Sequence, residues 1–209
     1  MEHIITLTLQ DVTKSFGGMN LFAPLNCRVM SGQCLVITGD NGSGKTTLLK
    51  IIARLLRPST GYVQLSAGSV ILKDTEQSLP YLGMVSPEIV MYDHLTGLEN
   101  IVLLSQARGL VLTRDKMLQA LISMGLEPHS GQYVKTYSTG MKQRLKFALL
   151  SAIDPPVWLI DEGLSNLDSQ GRDLALALLE QSLARAHLLV LTTNEQAEAA
   201  YATQTISLS

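Results

Sequence analysis

A run of eight residues from Gly39 to Thr46 combines glycine, lysine and threonine in a pattern suited to holding phosphate. It reads Gly-Asp-Asn-Gly-Ser-Gly-Lys-Thr, which fits G-x-x-x-x-G-K-[ST] at every fixed position. Glycines let the backbone curl so that successive N–H groups point at an anion, and Lys45 can reach the β- and γ-phosphates of a nucleotide. The Thr46 hydroxyl is placed to ligate Mg²⁺. The residues that we expect to contact nucleotide phosphates are Gly39, Asn41, Gly42, Ser43, Gly44, Lys45, Thr46 and Thr47.

The segments on either side of this loop predict a strand before it and a helix after it. Residues 33–38 form a short apolar, β-branched run, and residues 48–56 carry apolar side chains at helical spacing. A helix that begins at the loop adds the partial positive charge of its N-terminus to the site. The order strand, loop, helix therefore favours a phosphate-binding loop over a glycine-rich turn that binds nothing.

A second candidate is a pair of adjacent carboxylates, Asp161 and Glu162, at the end of the apolar run 156–162. A strand that ends in Asp161 supplies the carboxylate that a Mg²⁺ ion behind a phosphate loop needs. Glu162, one residue further, is placed to polarise an attacking water. Acidic pairs at strand ends are common, but together with the loop at 39–46 this pair predicts a metal site formed by Thr46 and Asp161 and a catalytic base at Glu162.

Two further features could contact a nucleotide. Residues 137–144, Tyr-Ser-Thr-Gly-Met-Lys-Gln-Arg, open a predicted helix with the Ser138 hydroxyl and with backbone amides that Gly140 leaves accessible. Phe16 lies in the predicted turn at residues 14–18, and its ring could stack on an adenine base. An aromatic residue at the edge of the core is an equally good interpretation of Phe16 from the residues alone.

The elements that must position these residues alternate along the chain. Predicted strands cover residues 4–13, 21–30, 33–38, 62–65, 69–72, 81–85, 156–162, 187–193 and 205–208. Predicted helices cover residues 48–56, 98–108, 113–124, 138–152, 171–186 and 195–202. Strands that alternate with helices predict an α/β fold with a mainly parallel sheet, whose ligands bind at the carboxyl ends of the strands.

Composition narrows the possible partners. The chain has 209 residues, a net charge of −2, 46% hydrophobic residues and 16% charged residues, which fits one domain of the usual size. It contains no basic stretch, so nucleic acid is not an expected partner. It contains neither an apolar run long enough to span a bilayer nor a signal-peptide pattern at its start. Cys27 and Cys34 flank a predicted turn, and we expect a reduced, buried pair that could face each other on paired strands.

Together these motifs resemble those of ATP-binding cassette (ABC) proteins. Residues 39–46 correspond to the phosphate loop, 137–144 to the family's signature sequence and Asp161-Glu162 to its acidic pair, while Ser165-Asn166-Leu167-Asp168 resembles its D-loop. The resemblance covers essentially the whole chain. It implies a P-loop NTPase fold with a mainly parallel sheet, an N-terminal antiparallel β subdomain and a helical signature subdomain, inserted at about residues 97–152 of a single domain spanning 1–209.

The resemblance to a transporter's nucleotide-binding subunit also implies a reaction and partners. Such a subunit binds ATP and Mg²⁺ and hydrolyses ATP as a homodimer, or as a heterodimer with a related subunit, at the cytoplasmic face of the membrane. It drives transport through an integral membrane permease that is a separate polypeptide. The helix start of one subunit, here Ser138 and Gly140, covers the γ-phosphate held by the other. Phe16 falls where the family places its adenine-stacking aromatic.

Several positions depart from the family pattern. Pro87, between Ser86 and Glu88, stands where the family usually has a glutamine, and Asn194 occupies the switch position that is normally histidine. The signature reads Tyr-Ser-Thr-Gly-Met, and Gly163 replaces the usual proline after the acidic pair. We expect Asn194 to act beside Glu162 in catalysis. The same departures resemble short bacterial ATPases of the haem-exporter type involved in cytochrome c biogenesis, which favours export.

Two other functions fit part of this pattern. A soluble cassette ATPase acting on ribosomes or DNA would share the motifs, but such proteins usually carry two cassettes or basic arms. A module that closes on ATP and hydrolyses it poorly would fit Pro87 and Asn194, although the presence of Glu162 argues against full inactivity. A P-loop kinase is excluded mainly by the signature element, which kinases lack.

Overall fold

A computed structural model describes residues 4–194 and 200–208. The strands are β1 (Ile5–Phe16), β2 (Met19–Met30), β3 (Cys34–Gly39), β4 (Thr60–Ala67), β5 (Val70–Leu72), β6 (Leu82–Val85), β7 (Val157–Asp161), β8 (Leu188–Thr192) and β9 (Gln204–Leu208). The α-helices are α1 (Lys45–Ile52), α2 (Thr75–Ser78), α3 (Gly97–Gln106), α4 (Arg114–Ser123), α5 (Thr139–Ile153) and α6 (Ser169–Ala184). Single 3₁₀ turns cover Leu79–Tyr81, Glu127–His129 and Val134–Thr136.

The chain divides into two compact units. The first unit comprises Met1–Leu82, Pro156–Asp161 and Leu183–Ser209, and the second unit comprises Gly83–Pro155 and Glu162–Ser182. The chain therefore enters the second unit twice, once after β6 begins and once directly after Asp161. The assignment of a single domain with a helical insertion at about 97–152 stays a prediction.

An antiparallel sheet in the first unit has the strand order β2-β1-β4-β5. Along β1 the side chains of Ile5, Leu7 and Leu9 are buried while those between them are more exposed, which is the period-2 pattern of a sheet with one covered face. A two-residue turn at Gly17 and Gly18 joins β1 to β2. Both glycines have positive φ angles, 57° and 84°, as tight hairpin turns require.

A parallel sheet forms the core of the first unit, with its strands in the order β7-β8-β3-β9. Every residue of β7 and β8 is buried, so both strands read as continuous apolar runs, as expected for strands covered on both faces. Because neighbouring strands are parallel, the carboxyl ends of β3, β7 and β8 lie at one edge of the sheet. That edge carries Gly39, Asp161 and Thr192.

The second unit is mainly helical. Thr96 and Glu99 form a capping box at the start of α3, and such reciprocal bonds satisfy two backbone donors that a helix start otherwise leaves unpaired. The α5 side chains of Leu145 and Phe147 are fully buried. Among the residues that the structure describes, no helix is long and apolar enough to cross a membrane.

The predicted α/β class with its parallel sheet is confirmed, but several local predictions were wrong. Helix α1 ends at Ile52 and not at Leu56, because Arg54 adopts a left-handed backbone conformation with φ 60°. Phe16 is the last residue of β1 and does not lie in the turn. Helix α2 was not predicted, and residues 195–199 of the predicted helix 195–202 lie outside the described part.

The prediction that Cys27 and Cys34 face each other on paired strands was also wrong. Cys27 lies on β2 and Cys34 on β3, and these strands belong to different sheets. Both thiols are free, and only Cys34 is fully buried. Burial raises the pKa of the Cys34 thiol to about 12, so this side chain packs as a small apolar group.

Candidate nucleotide site

The loop after β3 has a backbone that only glycine fits at two positions. At Gly39, where φ is 147°, a Cβ atom would lie 2.4 Å from the carbonyl oxygen of Leu208 and 2.6 Å from Ser43 Oγ. Gly44 is the N-cap residue of α1 with φ 102°, and no side chain caps this helix start. The first-turn amides therefore keep the capacity to bind an anion, which helix starts have in general.

The Lys45 side chain is almost fully buried within the loop. It is 4% exposed, and its Nζ donates hydrogen bonds to the carbonyl oxygens of Gly39 at 2.7 Å and Asp40 at 3.1 Å. These two carbonyl acceptors are neutral. Phosphate oxygens would be stronger partners, because hydrogen bonds between two charged groups exceed those to a neutral carbonyl.

Asp161 accepts hydrogen bonds from two hydroxyl groups at the edge of the parallel sheet where its strands end. The hydroxyl of Thr46 donates to Asp161, with Oγ1 at 3.1 Å from Oδ1 and 2.9 Å from Oδ2. The hydroxyl of Thr192 donates to Oδ1 at 2.7 Å. Asp161 is only 2% exposed, so these two hydroxyls supply neutral donors to a buried carboxylate.

The donor set at Thr46 and Asp161 fits Mg²⁺ in one specific way. Mg²⁺ takes hard oxygen ligands and is usually held by one or two carboxylates together with phosphate oxygens and water. Within residues 4–194 and 200–208 there is no group of three or more His, Cys, Asp or Glu that could hold a metal alone. A magnesium ion here would need the nucleotide to complete its coordination.

The first unit also contains the predicted residues Asn194 and Phe16. Asn194 lies beside the phosphate loop, and Phe16 lies beside the turn between β1 and β2. Asn194 Nδ2 donates to Asn41 Oδ1 at 2.9 Å, which joins the predicted switch position to the phosphate loop. Phe16 is 54% exposed, and Lys14 Nζ lies 5.1 Å from the centroid of its ring. An exposed ring beside a cation can accept a flat aromatic ligand, and the role of Phe16 stays a prediction.

In the second unit, the backbone at Glu162 is in a rare conformation. Glu162 has φ 47°, in the left-handed region that non-glycine residues seldom occupy. The Ser165 hydroxyl donates to the Glu162 carbonyl oxygen at 2.8 Å. The next carbonyl, of Gly163, accepts a hydrogen bond from Gln143 Nε2, also at 2.8 Å. Such a conformation persists only where surrounding bonds fix it.

The predicted signature residues form the start of α5. Ser138 is the N-cap residue, and its Oγ accepts a hydrogen bond from the Met141 amide at 3.2 Å. A Cβ atom added at Gly140 would lie 3.5 Å from the Asn166 carbonyl oxygen, so a larger residue there would touch the predicted D-loop. Ser138 is exposed, and its helix start can therefore meet a ligand outside this unit.

Sequence reasoning missed three residues that support the predicted ones. Thr192 binds Asp161, Gln143 binds Gly163, and Lys146 Nζ donates to the Ser86 carbonyl oxygen at 2.9 Å. Burial lowers the pKa of Lys146. The sequence did contain a signal for Gln143 and Lys146. They are three residues apart on a predicted helix, and this spacing places both on one face of it.

Comparisons with known proteins agree with these motifs. A family model described as ABC transporter matches residues 22–165. The cytochrome c biogenesis ATP-binding export protein CcmA of Xanthomonas axonopodis pv. citri is 32% identical over 190 residues, covering 90% of this chain and 86% of that protein. CcmA of Nitrosospira multiformis is 31% identical, covering 93% and 94%. A putative 2-aminoethylphosphonate import ATP-binding protein, PhnT, of Salmonella typhimurium is 30% identical, covering 92% of this chain and 53% of that protein.

Solved structures give the same result. A dimeric bacterial ABC transporter cassette, MJ0796, has a TM-score of 0.83 and 26% identity, covering 97% of this chain and 94% of that chain. The same cassette in a dimeric post-hydrolysis state, bound to ADP and Pi, has a TM-score of 0.82 and 25% identity at the same coverage. The family model alone spans well over half of the chain. The chain therefore belongs to the ABC transporter family, and it is the ATP-binding subunit of a transporter and an ABC-type ATPase.

Proposed function

We propose that this chain hydrolyses ATP at a site that two copies complete, and that the reaction drives a separate membrane permease. The observation that carries the proposal is the direct contact of Thr46 with Asp161 behind the loop that holds Lys45. Hydroxyl, carboxylate and ammonium groups at these positions match the needs of a magnesium-bound triphosphate.

Each group has a separate task in the proposed reaction. Phe16 stacks on the adenine, while the loop amides and Lys45 bind the β- and γ-phosphates. Thr46 and Asp161 would hold a Mg²⁺ ion, which neutralises phosphate charge when bound. Glu162 accepts a proton from the attacking water as the new P–O bond forms and the bond between the β- and γ-phosphates breaks, leaving ADP and phosphate.

Asn194 is proposed to orient the γ-phosphate and the attacking water. Its amide donates to Asn41 in the loop, and the same donor would serve a phosphate oxygen of a bound nucleotide. An amide does not exchange a proton near neutral pH, whereas a histidine can. With Asp161 assigned to the metal ion, we assign the proton of the attacking water to Glu162, and we expect slow turnover.

The second copy contributes the start of α5. Ser138 and the following amides form an exposed, capped helix start, which is suited to the γ-phosphate bound by the partner. The related cassette MJ0796 is a dimer in both of its structures. Each ATP would then contact both copies, so that ATP favours the dimer by mass action.

Sedimentation of Glu162→Gln tests this arrangement. The substitution removes the base and keeps the phosphate-binding charges, so we expect a dimer with ATP and Mg²⁺ and a monomer with ADP. Ser138→Arg in the same background places a bulky side chain at the dimer face without touching the loop. It should bind ATP as a monomer. A stable ATP-bound dimer of the double variant would refute the shared site.

The proposals of a permease partner and of a direction of transport are based on the related proteins. The CcmA proteins are described as exporters in cytochrome c biogenesis, while PhnT is described as an importer. The alignments cover 86% and 94% of these two CcmA chains but only 53% of PhnT, and we therefore propose export, with haem as the candidate cargo and peripheral attachment at the cytoplasmic face. An apolar groove of about 250 Å³, lined by Met84, Ile89, Leu104 and Leu149, offers a surface for a permease segment.

A gene deletion separates haem export from other cargo. The source organism without this gene should lose covalently attached haem in its c-type cytochromes, and the wild-type gene should restore it. The gene for Glu162→Gln should not restore it, because hydrolysis is required. Normal c-type cytochromes in the deletion strain would exclude the haem-export proposal and leave the ATPase proposal intact.

A further inference from the structure

Helix α5 carries two buried polar side chains on a face that is otherwise apolar. Gln143 is 5% exposed and Lys146 is 9% exposed, while Leu145, Phe147 and Ala148 beside them are completely buried. Buried amide and ammonium groups are costly unless they are hydrogen-bonded. Both residues solve this by donating to backbone carbonyl oxygens, those of Gly163 and Ser86.

The acceptor of the Gln143 bond lies one residue from the proposed base. The carbonyl group of Gly163 is buried, so loss of the Gln143 donor would leave it unpaired. The bond fixes the peptide between Gly163 and Leu164, which is the second peptide after Glu162, and the orientation of this peptide sets the ψ angle at Gly163 and the path of the chain away from Glu162. The Ser165 hydroxyl holds the preceding peptide through the Glu162 carbonyl oxygen.

Two side-chain bonds thus fix the peptides on the C-terminal side of Glu162. Its left-handed conformation, with φ 47°, is unfavourable for a residue with a Cβ atom. If either bond were removed, the backbone could relax toward commoner angles. The Cα–Cβ direction of Glu162 would then turn, and with it the carboxylate. Misplacement of a reacting group by about 1 Å can lower a rate by about a hundredfold.

We propose that Gln143 is a positioning residue that holds the Glu162 backbone in its reactive conformation and links it to the start of α5. The inference rests on the proposed role of Glu162 as the base. Ser138 and Gln143 lie on the same helix, about 7 Å apart along its axis. A partner nucleotide that engages the helix start at Ser138 therefore acts on the segment that also supports Glu162.

Gln143→Met is the direct test, because methionine keeps the length of the side chain and removes the amide. We expect kcat for ATP hydrolysis to fall about tenfold, in line with the loss of one buried hydrogen bond. The KM and the Kd for ATP should stay within about twofold, since the phosphate loop is untouched. The matched control is Gln106→Met, the same change at an exposed residue that ends α3, and its kcat should equal that of the wild type.

Two further measurements distinguish positioning from a general structural effect. In the Glu162→Gln background, adding Gln143→Met should lower the residual turnover by less than about twofold, because the base it positions is gone. Backbone amide exchange should quicken at residues 162–165 and stay unchanged at residues 86–88, which Lys146 holds. If Gln143→Met folds poorly, Gln143→Glu keeps the volume and presents only acceptors when ionised, and the same pattern is expected.

The outcomes separate the inference from the proposed function. Wild-type turnover in Gln143→Met, or a full tenfold loss added to Glu162→Gln, would overturn the positioning role. Normal turnover in Glu162→Gln alone would instead show that Glu162 is not the base. Absence of hydrolysis by the wild-type protein would refute the proposed reaction itself.

Discussion

Replacement of Lys45 by methionine should weaken ATP binding strongly without disturbing the fold. In the structure the ammonium group donates to two neutral carbonyl oxygens at 2.7 and 3.1 Å. On binding, those two bonds would be exchanged for bonds to phosphate oxygens. A bond between two charged groups exceeds one to a neutral acceptor by about 1.5 kcal/mol. Two such exchanges are worth about 3 kcal/mol, which is on the order of a hundredfold in Kd.

Isothermal titration calorimetry with ATP measures this loss directly. Lys50→Met, the same change near the end of the same helix, is the matched control, and its Kd should equal that of the wild type. Far-ultraviolet circular dichroism should show an unchanged fold for both variants. If Lys45→Met bound ATP as tightly as the wild type, the nucleotide phosphates would not lie in this loop, and the reasoning from the Lys45 contacts would fail.

Three further perturbations test other parts of the site. Asn194→Ala should lower kcat about tenfold with KM changed less than about threefold, and Asn194→His should equal or exceed the wild type, as steady-state phosphate release will show. Phe16→Ala should raise the Kd for ATP about tenfold in calorimetry, because one base-stacking contact is lost, while kcat at saturating ATP stays unchanged. Removal of divalent cations with a chelator should abolish phosphate release, and Mg²⁺ should restore it in the wild type but not in Asp161→Asn. Asn194 would lose its proposed role if Asn194→Ala kept the wild-type kcat, and Phe16 would lose its role if Phe16→Ala kept the wild-type Kd for ATP. Phosphate release that continues in the chelator, or an Asp161→Asn variant that Mg²⁺ restores fully, would remove the metal ion or Asp161 from the proposed mechanism.

The sequence predicted the fold class because its strongest signals are local. Residues 33–38 and 48–56 flank the loop with a strand and a helix, and both elements are present as β3 and α1. The predictions were wrong where a single backbone angle, or the pairing of strands that are distant in the sequence, determines the structure. The end of α1 depends on the left-handed Arg54, and the separation of Cys27 from Cys34 depends on which sheet each strand joins. Neither is encoded in hydrophobic periodicity.

The site residues could be predicted from the sequence because phosphate binding requires particular residue types at fixed spacing. The residues that hold them in place could not be predicted. Thr192 is 31 positions from its hydrogen-bond partner along the chain, and Gln143 is 20 positions from its own. A threonine at a strand end and a glutamine within a helix are common, and only the folded chain shows which carboxylate or carbonyl each one meets. The contact of Asn194 with Asn41 likewise spans 153 positions.

The central claim is that ATP is hydrolysed at a site that needs a second copy of the chain, and the dependence of phosphate release on protein concentration tests it most directly. If two copies form the site, turnover per chain should rise with protein concentration and then level off, and Ser138→Arg should remain inactive throughout while still binding ATP. Turnover per chain that is independent of concentration, with Ser138→Arg as active as the wild type, would contradict the claim.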